Sequence, residues 1–312
     1  MAAKPKIFID GEAGTTGLQI RDRLRALTTV EVLRIDPASR KDAQARANLM
    51  SAADLVVLCL PDEAAIDAVA IASSLGAKSP KIIDASSAHR VAKGWTYGFA
   101  ELSARQADAI RGSHQISNPG CYPTGAIALL RPLVDAGLMP PDFPVTVNAV
   151  SGYTGGGNAM IAAYEVTKTA PAFELYGLGL AHKHVLELQR YAGLTRRPIF
   201  VPSVGNFAQG MLVSIPLHLD MLPGNPSAAH LEAALAAHYT GTNVRVVARA
   251  EKAMAGRIPV ETLAGSDALE LYVFAHATQH QAVLVARLDN LGKGAAGAAV
   301  QNLQLMLGLA PR

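Results

Sequence analysis

Cysteine is scarce in this chain: two in 312 residues, Cys59 and Cys121, far apart and in different surroundings. Two isolated thiols make neither a disulfide framework nor a metal-ligand spacing, so a reducing, cytoplasmic setting is the default and no metal site is expected. Charged residues are 17% of the chain, and the net charge of +3 is spread along it without a Lys/Arg block. That distribution gives nucleic acid and anionic membrane surfaces no electrostatic footing. No apolar run approaches membrane-spanning length, and Met1 to Lys6 enters a strand without a signal-peptide core, so no membrane partner is expected. Internal repeats and low-complexity linkers are missing too. What remains is half hydrophobic, enough to build a sizeable core in one large or two medium domains.

The first segments have the pattern of a nucleotide-binding βα unit. Lys6 to Asp10 is a short apolar strand, followed directly by Gly11-Glu12-Ala13-Gly14-Thr15-Thr16-Gly17 and a helix through Leu18, Ile20, Leu24 and Leu27. Glycines in such a turn permit the sharp bend, close approach of a pyrophosphate and packing of helix on strand. The spacing is GxxGxxG, and an ordinary glycine-rich turn is the bland alternative. Gly11, Gly14, Thr15, Thr16 and Gly17 are therefore candidate cofactor contacts. Val30 to Ile35 follows as a second strand, ending where cofactor choice is usually made. Asp36 there favours NAD through a ribose hydroxyl, while Ser39, Arg40 and Lys41 favour a 2′-phosphate. The cations carry more weight, so NADP(H) is the expected cofactor.

Further strands are expected at Leu55 to Leu60, Lys81 to Ala85 and Gln115 to Ser117, with a helix from Glu63 to Leu75. The unbroken apolar character of 55–60 suits a parallel sheet covered on both faces, with Cys59 in the core. Asp84-Ala85-Ser86-Ser87-Ala88-His89-Arg90 leaves the carboxyl end of its strand, where open α/β sheets bind ligands. Arg90 is a candidate for gripping an anionic substrate.

The most informative stretch is Ser117-Asn118-Pro119-Gly120-Cys121-Tyr122-Pro123-Thr124-Gly125 and the apolar run after it. Pro119 and Gly120 punctuate a turn, and Pro123 is tolerated in the first turn of a helix. Cys121 then sits at a helix N-terminus, where unpaired N–H groups favour a thiolate nucleophile. A small inert buried cysteine is the competing interpretation. Val145 to Val150 is a strand ending in the glycine-rich segment Ser151 to Asn158, an anion nest or a flexible loop. His182-Lys183-His184 followed by Glu187 gathers acid–base groups. On a helix, residues two apart diverge by about 200°, so one histidine alone would face a given point, with Glu187 on the side of His184. The remaining strands, Pro198 to Ser203, Gly210 to Leu219, Asn243 to Ala248, Ala268 to Ala275 and Ala282 to Arg287, form a mixed sheet, the last two an antiparallel pair joined near Thr278 to His280. Ser227 caps a helix from Ala228 to His238. The final helix, Gly292 to Leu307, begins with small residues and returns to the cofactor domain.

Taken in chain order, the pieces Gly11 to Gly17, Asp84 to Arg90, Asn118 to Thr124, Ser151 to Asn158, His182 to Glu187 and Asp289 to Leu309 resemble the short-form N-acetyl-γ-glutamyl-phosphate reductases, a branch of the wider aspartate-semialdehyde-dehydrogenase-like family. The resemblance implies an α/β protein: a Rossmann-like NADP-binding domain over 1–120, rejoined by a C-terminal helix at 291–312, and an α+β catalytic, substrate and oligomerisation domain with a mixed sheet over 121–290. It implies reductive dephosphorylation of an acyl phosphate in arginine biosynthesis, a homodimer or homotetramer, Cys121 as nucleophile and a histidine of the pair as acid–base. Asn290 and Lys293 join the cofactor contacts on the same ground. The chemistry suits the residues independently, since a thioester route needs a reactive thiol, an imidazole, N–H donors and cations for inorganic phosphate. Asn118, Arg90 and Lys183 are the substrate and phosphate candidates. Reductases of aspartyl or N-acetyl-aminoadipyl phosphate are the nearest alternatives. A catalytically silent NADP-binding regulator and a cofactor-free cysteine enzyme are more distant ones.

Overall fold

A computed structural model describes residues 3–250 and 254–310. Among these residues the helices are α1 (Thr15–Arg25), α2 (Ala43–Ala52), α3 (Asp62–Ser74), α4 (Gln106–Arg111), α5 (Cys121–Asp135), α6 (Gly157–Glu165), α7 (His184–Tyr191), α8 (Ala228–His238) and α9 (Gly297–Leu307). The strands are β1 (Lys6–Asp10), β2 (Glu31–Leu33), β3 (Leu55–Leu58), β4 (Lys81–Asp84), β5 (Thr96–Tyr97), β6 (Gln115–Ser117), β7 (Thr146–Gly152), β8 (Phe173–Leu175), β9 (Ile199–Gly205), β10 (Met211–His218), β11 (Val244–Val246), β12 (Leu269–Ala275) and β13 (Gln281–Leu288). None of these helices is long and apolar enough to cross a membrane. The chain forms two compact units. The first takes the residues up to Ala100, Arg105–Pro119 and those from Ala295 onward, and the second takes Glu101–Ala104 and Gly120–Gly294.

The first unit is built on a six-stranded sheet in the order β2-β1-β3-β4-β6-β5, with every pairing parallel. Side chains alternate across a strand, so a sheet covered on both faces needs apolar residues at every position. The sequence supplies them. Ile7, Ile9, Leu55, Val57 and Ile83 share one cluster with Ile20 and Leu24 of α1, Ile110 of α4, and Leu303 and Met306 of α9. Phe8, Val56, Leu58 and Ile82 point the other way, to Met50 of α2 and Ala65, Ala68 and Ala72 of α3. Helix α2 has no counterpart in the sequence pattern, because its apolar residues form no stripe; it is marked instead by Asp42, whose carboxylate accepts the Ala45 N–H at 2.6 Å. The second strand is shorter than the expected Val30 to Ile35, and the edge strand β5 and short α4 were not expected.

The second unit carries a seven-stranded mixed sheet, β11-β12-β13-β10-β7-β9-β8. β12 and β13 are the antiparallel pair the alternation predicts, and β7 pairs parallel with β9. Along β10, Met211, Val213, Ile215 and Leu217 are buried while Pro216 and His218 are exposed. The buried set faces α5, where Gly125 leaves room: a Cβ there would sit 2.8 Å from Val213 Cγ2. Tyr239, just after α8, donates its hydroxyl to Ala128 O of α5 at 2.9 Å. The opposite sheet face holds a hollow of about 910 Å³, lined by Val150, Val201, Leu212, Phe274 and Val285 among others.

The glycine-rich segment 151–158 is not a loop. β7 continues to Gly152, a 3₁₀ turn occupies Tyr153–Gly156, and α6 begins at Gly157. The glycines serve close approach and reversal. A Cβ at Gly152 would overlap the Ala208 carbonyl, and Gly157 has φ +76°, a conformation only glycine adopts readily.

Candidate active site

Helix α5 opens on Cys121, with Gly120 as its extended N-cap and no acidic residue in its first turn. Pro123 falls where its missing N–H costs nothing. The N–H of Gly120 donates to Glu187 Oε1 at 2.7 Å, and Glu187, on α7, is 1% exposed. Cys121 itself is half-buried.

Helix α7 starts at His184, so His182 lies before it. The divergence expected for two helical residues therefore does not apply, and the two imidazoles lie 4.6 Å apart with their planes at 59°. The His184 N–H donates to His182 Nδ1 at 3.2 Å. An imidazole nitrogen that accepts is unprotonated, which puts the proton of neutral His182 on Nε2. Tyr122, Tyr176 and Phe200 pack edge-on around His182, with centroids at 6.5, 5.8 and 5.2 Å. The Tyr176 hydroxyl donates to that of Tyr122 at 3.1 Å, and Tyr122 donates to Ser203 O at 2.9 Å. Burial raises both phenols, Tyr176 to about 12, and negative charge at Cys121 adds to the rise. They stay protonated donors at neutral pH. Sequence reasoning missed these tyrosines. Only the place of Tyr122 beside the cysteine hinted at a role, and Tyr176 gave no signal. Lys183 is exposed.

Asn290 and Lys293 have internal partners in the second unit. Asn290 accepts the Gly210 N–H and donates to Thr154 Oγ1, both at 2.9 Å. The Lys293 ammonium reaches both carboxylate oxygens of Glu101, at 2.8 and 2.7 Å, with both side chains buried.

In the first unit, Gly11 follows β1 with φ +87°, and a Cβ there would overlap the Cys59 carbonyl oxygen. The Gly14 N–H closes the turn onto Gly11 O at 3.0 Å. A Cβ at Gly17 would lie 2.6 Å from the same oxygen, so α1 can start close under the turn. Gly14 caps α1 without a side chain, and Thr15 and Thr16 open it. Asp10 ends β1 in an ion pair with Arg46 at 2.7 Å. Burial pushes its carboxyl up, and Arg46 offsets only part of that. Asp36 spends its carboxylate on the Ala38 N–H at 2.9 Å. Ser39 is half-buried, and Arg40 and Lys41 are exposed beyond it.

At the end of β4, Asp84 accepts from the N–H and Oγ of Ser86 and pairs with His89 Nδ1 at 2.6 Å. His89 in turn stacks on Trp95, and Arg90 is buried beside it in sequence. The Asn118 amide donates to Ala295 O at 3.0 Å and accepts from Asn302 Nδ2 at 3.1 Å. Burial, with the charges of Asp84 and Asp10, pushes the Cys59 thiol up to about 12, which makes it inert as a nucleophile.

Two family models match this chain. Residues 11–110 match the semialdehyde dehydrogenase NAD binding domain, and residues 121–290 match the semialdehyde dehydrogenase dimerisation domain. Proteins named N-acetyl-gamma-glutamyl-phosphate reductase from Brucella ovis and Brucella suis biovar 1 are each 55% identical over 311 residues, covering 98% of this chain and 99% of the relative. Solved structures share the fold at low identity. Aspartate semialdehyde dehydrogenase from Francisella tularensis has a TM-score of 0.74 at 12% identity, covering 98% of this chain and 100% of that one. The Vibrio cholerae aspartate semialdehyde dehydrogenase II has 0.70 at 16%, covering 98% and 99%. The chain belongs to the semialdehyde dehydrogenase family, on its N-acetyl-γ-glutamyl-phosphate reductase branch.

Proposed function

We propose that this chain reduces N-acetyl-L-glutamyl 5-phosphate to N-acetyl-L-glutamate 5-semialdehyde with NADPH, in arginine biosynthesis, through a thioester on Cys121. The observation that carries this is a half-buried thiol opening a 15-residue helix, in a chain 55% identical to named reductases. The free N–H end of a helix stabilises a thiolate. That thiolate attacks the acyl carbon, the C–O bond to phosphate breaks, and inorganic phosphate leaves. Arg90 in the first unit and Lys183 in the second are each candidate cations for the phosphate. Bound nicotinamide supplies the hydride for the reduction. The Nε2–H of His182 donates a hydrogen bond to the carbonyl oxygen as negative charge develops there, and that charge is released as the C–S bond breaks and the thiolate returns. His184 serves substrate contact, and Glu187 holds the Gly120 N–H and with it the nucleophile turn.

The turn Gly11 to Gly17 fits a dinucleotide. Its glycines clear the space that side chains would fill, and α1 presents its N-terminus to the pyrophosphate. Ser39, Arg40 and Lys41 receive the 2′-phosphate and favour NADP, with Asp36 already spent on its own turn. Asn118, Asn290 and Lys293 act as braces: Asn118 and Asn290 bond the backbone at Ala295 and Gly210, and Lys293 bonds the Glu101 carboxylate. The hollow on the sheet face of the second unit is where a second copy pairs, in a homodimer or homotetramer. The enzyme works in the cytoplasm.

The test mixes purified protein with N-acetylglutamate semialdehyde, phosphate and NADP⁺ and follows the absorbance of reduced nicotinamide. Turnover is expected from the parent chain and none from Cys121→Ser, which should bind NADP⁺ with unchanged affinity. A fully active Cys121→Ser protein overturns the thioester route.

A further inference from the structure

The segment after β13 does not enter α9 as a regular helix. Gly292–Ala296 is a π-helical turn, and the Gly294 N–H donates five residues back to Asp289 O at 3.0 Å. Such turns are rare, short and frequent at functional sites. Gly294 lies directly on the nucleophile. A Cβ there would stand 2.8 Å from Cys121 Cβ, closer than side-chain carbons pack, with Asp289 O at 3.0 Å and Cys121 Cα at 3.2 Å.

The backbone at Gly294 has no room to retreat. Asp289 is fully buried, and its carboxylate accepts the Gly265 N–H at 2.7 Å, the Gln209 amide at 3.2 Å and the Leu291 N–H at 3.2 Å. Gly292 is pressed against the Ser266 carbonyl, which a Cβ would overlap. The next residue, Lys293, is clamped by Glu101. Three anchors thus hold one glycine against one cysteine.

We propose that Gly294 is a positioning residue for Cys121: its bare α-carbon is the surface on which the first turn of α5 seats and which sets the direction of the thiol. The inference rests on Cys121 as the nucleophile and adds what aims it. A methyl group at 294 displaces the Cys121 Cβ, because Asp289, Gly292 and Lys293 hold the backbone that carries it. A displacement of about 1 Å at a reacting atom costs on the order of 10²-fold in rate.

The experiment uses full-length Gly294→Ala protein. The expected result is a kcat lower by about 10²-fold with both KM values within about threefold of the parent. The midpoint of iodoacetamide alkylation of Cys121 against pH should rise by roughly half a unit or more, as the sulfur leaves the helix end. A kcat within about threefold of the parent, with an unchanged alkylation profile, overturns the proposal. Because Gly294→Ala also strains the fold, a stability cycle supplies a second decision. Cys121→Gly removes the nearest of the three atoms the new Cβ meets and leaves Asp289 O at 3.0 Å and Cys121 Cα at 3.2 Å, so Gly294→Ala should lower Tm less in that background than in the parent. Equal losses in both backgrounds place the collision elsewhere and overturn the proposal. Neither alkylation nor the cycle depends on turnover, so failure of the thioester route, seen as an active Cys121→Ser protein, is separable from failure of this inference.

Discussion

Glu187 offers the sharpest test of how the nucleophile turn is held. Its carboxylate accepts the Gly120 N–H at 2.7 Å in a buried setting, and Gly120 is the N-cap residue on which Cys121 follows. Glu187→Ala removes a charge-assisted bond and strands a buried donor. Hydrogen bonds to charged groups contribute about 1.5–3 kcal/mol, and leaving the donor unsatisfied costs the upper part of that range. Roughly 2–3 kcal/mol in a unit of this size lowers Tm by about 5–10 °C. Glu187→Gln keeps an acceptor in place and loses only the charge, so its Tm should fall by no more than about 3 °C. Removing an anion beside the helix end should also ease ionisation of Cys121, moving its alkylation profile to lower pH. Thermal melts, alkylation against pH and steady-state rates on both variants decide the matter. The holding role predicts that kcat tracks Tm: strongly reduced in Glu187→Ala, reduced less than about tenfold in Glu187→Gln. A Gln variant with parental Tm, a rate loss beyond about 10³-fold and a missing pH limb would refute the reasoning, because that is the signature of a proton-transfer group.

His182→Asn should lower kcat by about 10²–10⁴-fold and remove a pH limb near neutrality, while His184→Asn should act mainly through KM; the opposite pattern in pH–rate profiles swaps their roles. Replacing Arg40 and Lys41 together with Ala should weaken NADP(H) far more than NAD(H) in binding titrations, since only NADP carries the 2′-phosphate, and an equal loss for both would move these cations off that phosphate. Stability should fall at alkaline pH. Tyr122, Tyr176, Tyr239 and Tyr272 all have raised folded values against an ordinary 10.0, so their contribution is intact below about pH 10 and is lost as pH rises through the folded values. Melts across that range should show the decline, and Tyr176→Phe should shrink it.

The parallel sheet was legible because a strand buried on both faces needs apolar residues at every position, and 55–58 supply that run without a break. The glycine turn and the cysteine turn were legible for a related reason: Gly11 sits at φ +87° where few other residues are sterically allowed, and Pro123 is tolerated in a helix only in its first turn, so residue type reports backbone geometry. Boundaries were less so. The histidine geometry was misjudged because α7 begins at His184 and not before it. A shift of two residues at a helix start brings the imidazoles to 4.6 Å where a continuous helix would have separated them. Segment 151–158 looks loop-like because its glycines are numerous, yet they serve a close approach at Gly152 and a reversal at Gly157 where the 3₁₀ turn meets α6.

What composition hides most completely is the bracing. The Lys293 ammonium meets Glu101 across 192 residues of chain, and Glu187 meets Gly120 across 67. No local pattern marks either pair, because a lysine or glutamate in a helix looks the same whether it is solvated or buried. The chemistry of thioester formation restricts the reacting residues to a few types, so Cys121 and the histidines stand out from the sequence. A brace needs only charge and reach, which many residues supply, and its partner is chosen by topology. Gly294 belongs with the braces: among five small residues from Gly292 to Gly297 nothing distinguishes it until α5 is laid against it. Residue type can therefore locate the reacting groups of a site like this one, whereas the residues that aim them have to be found from contacts.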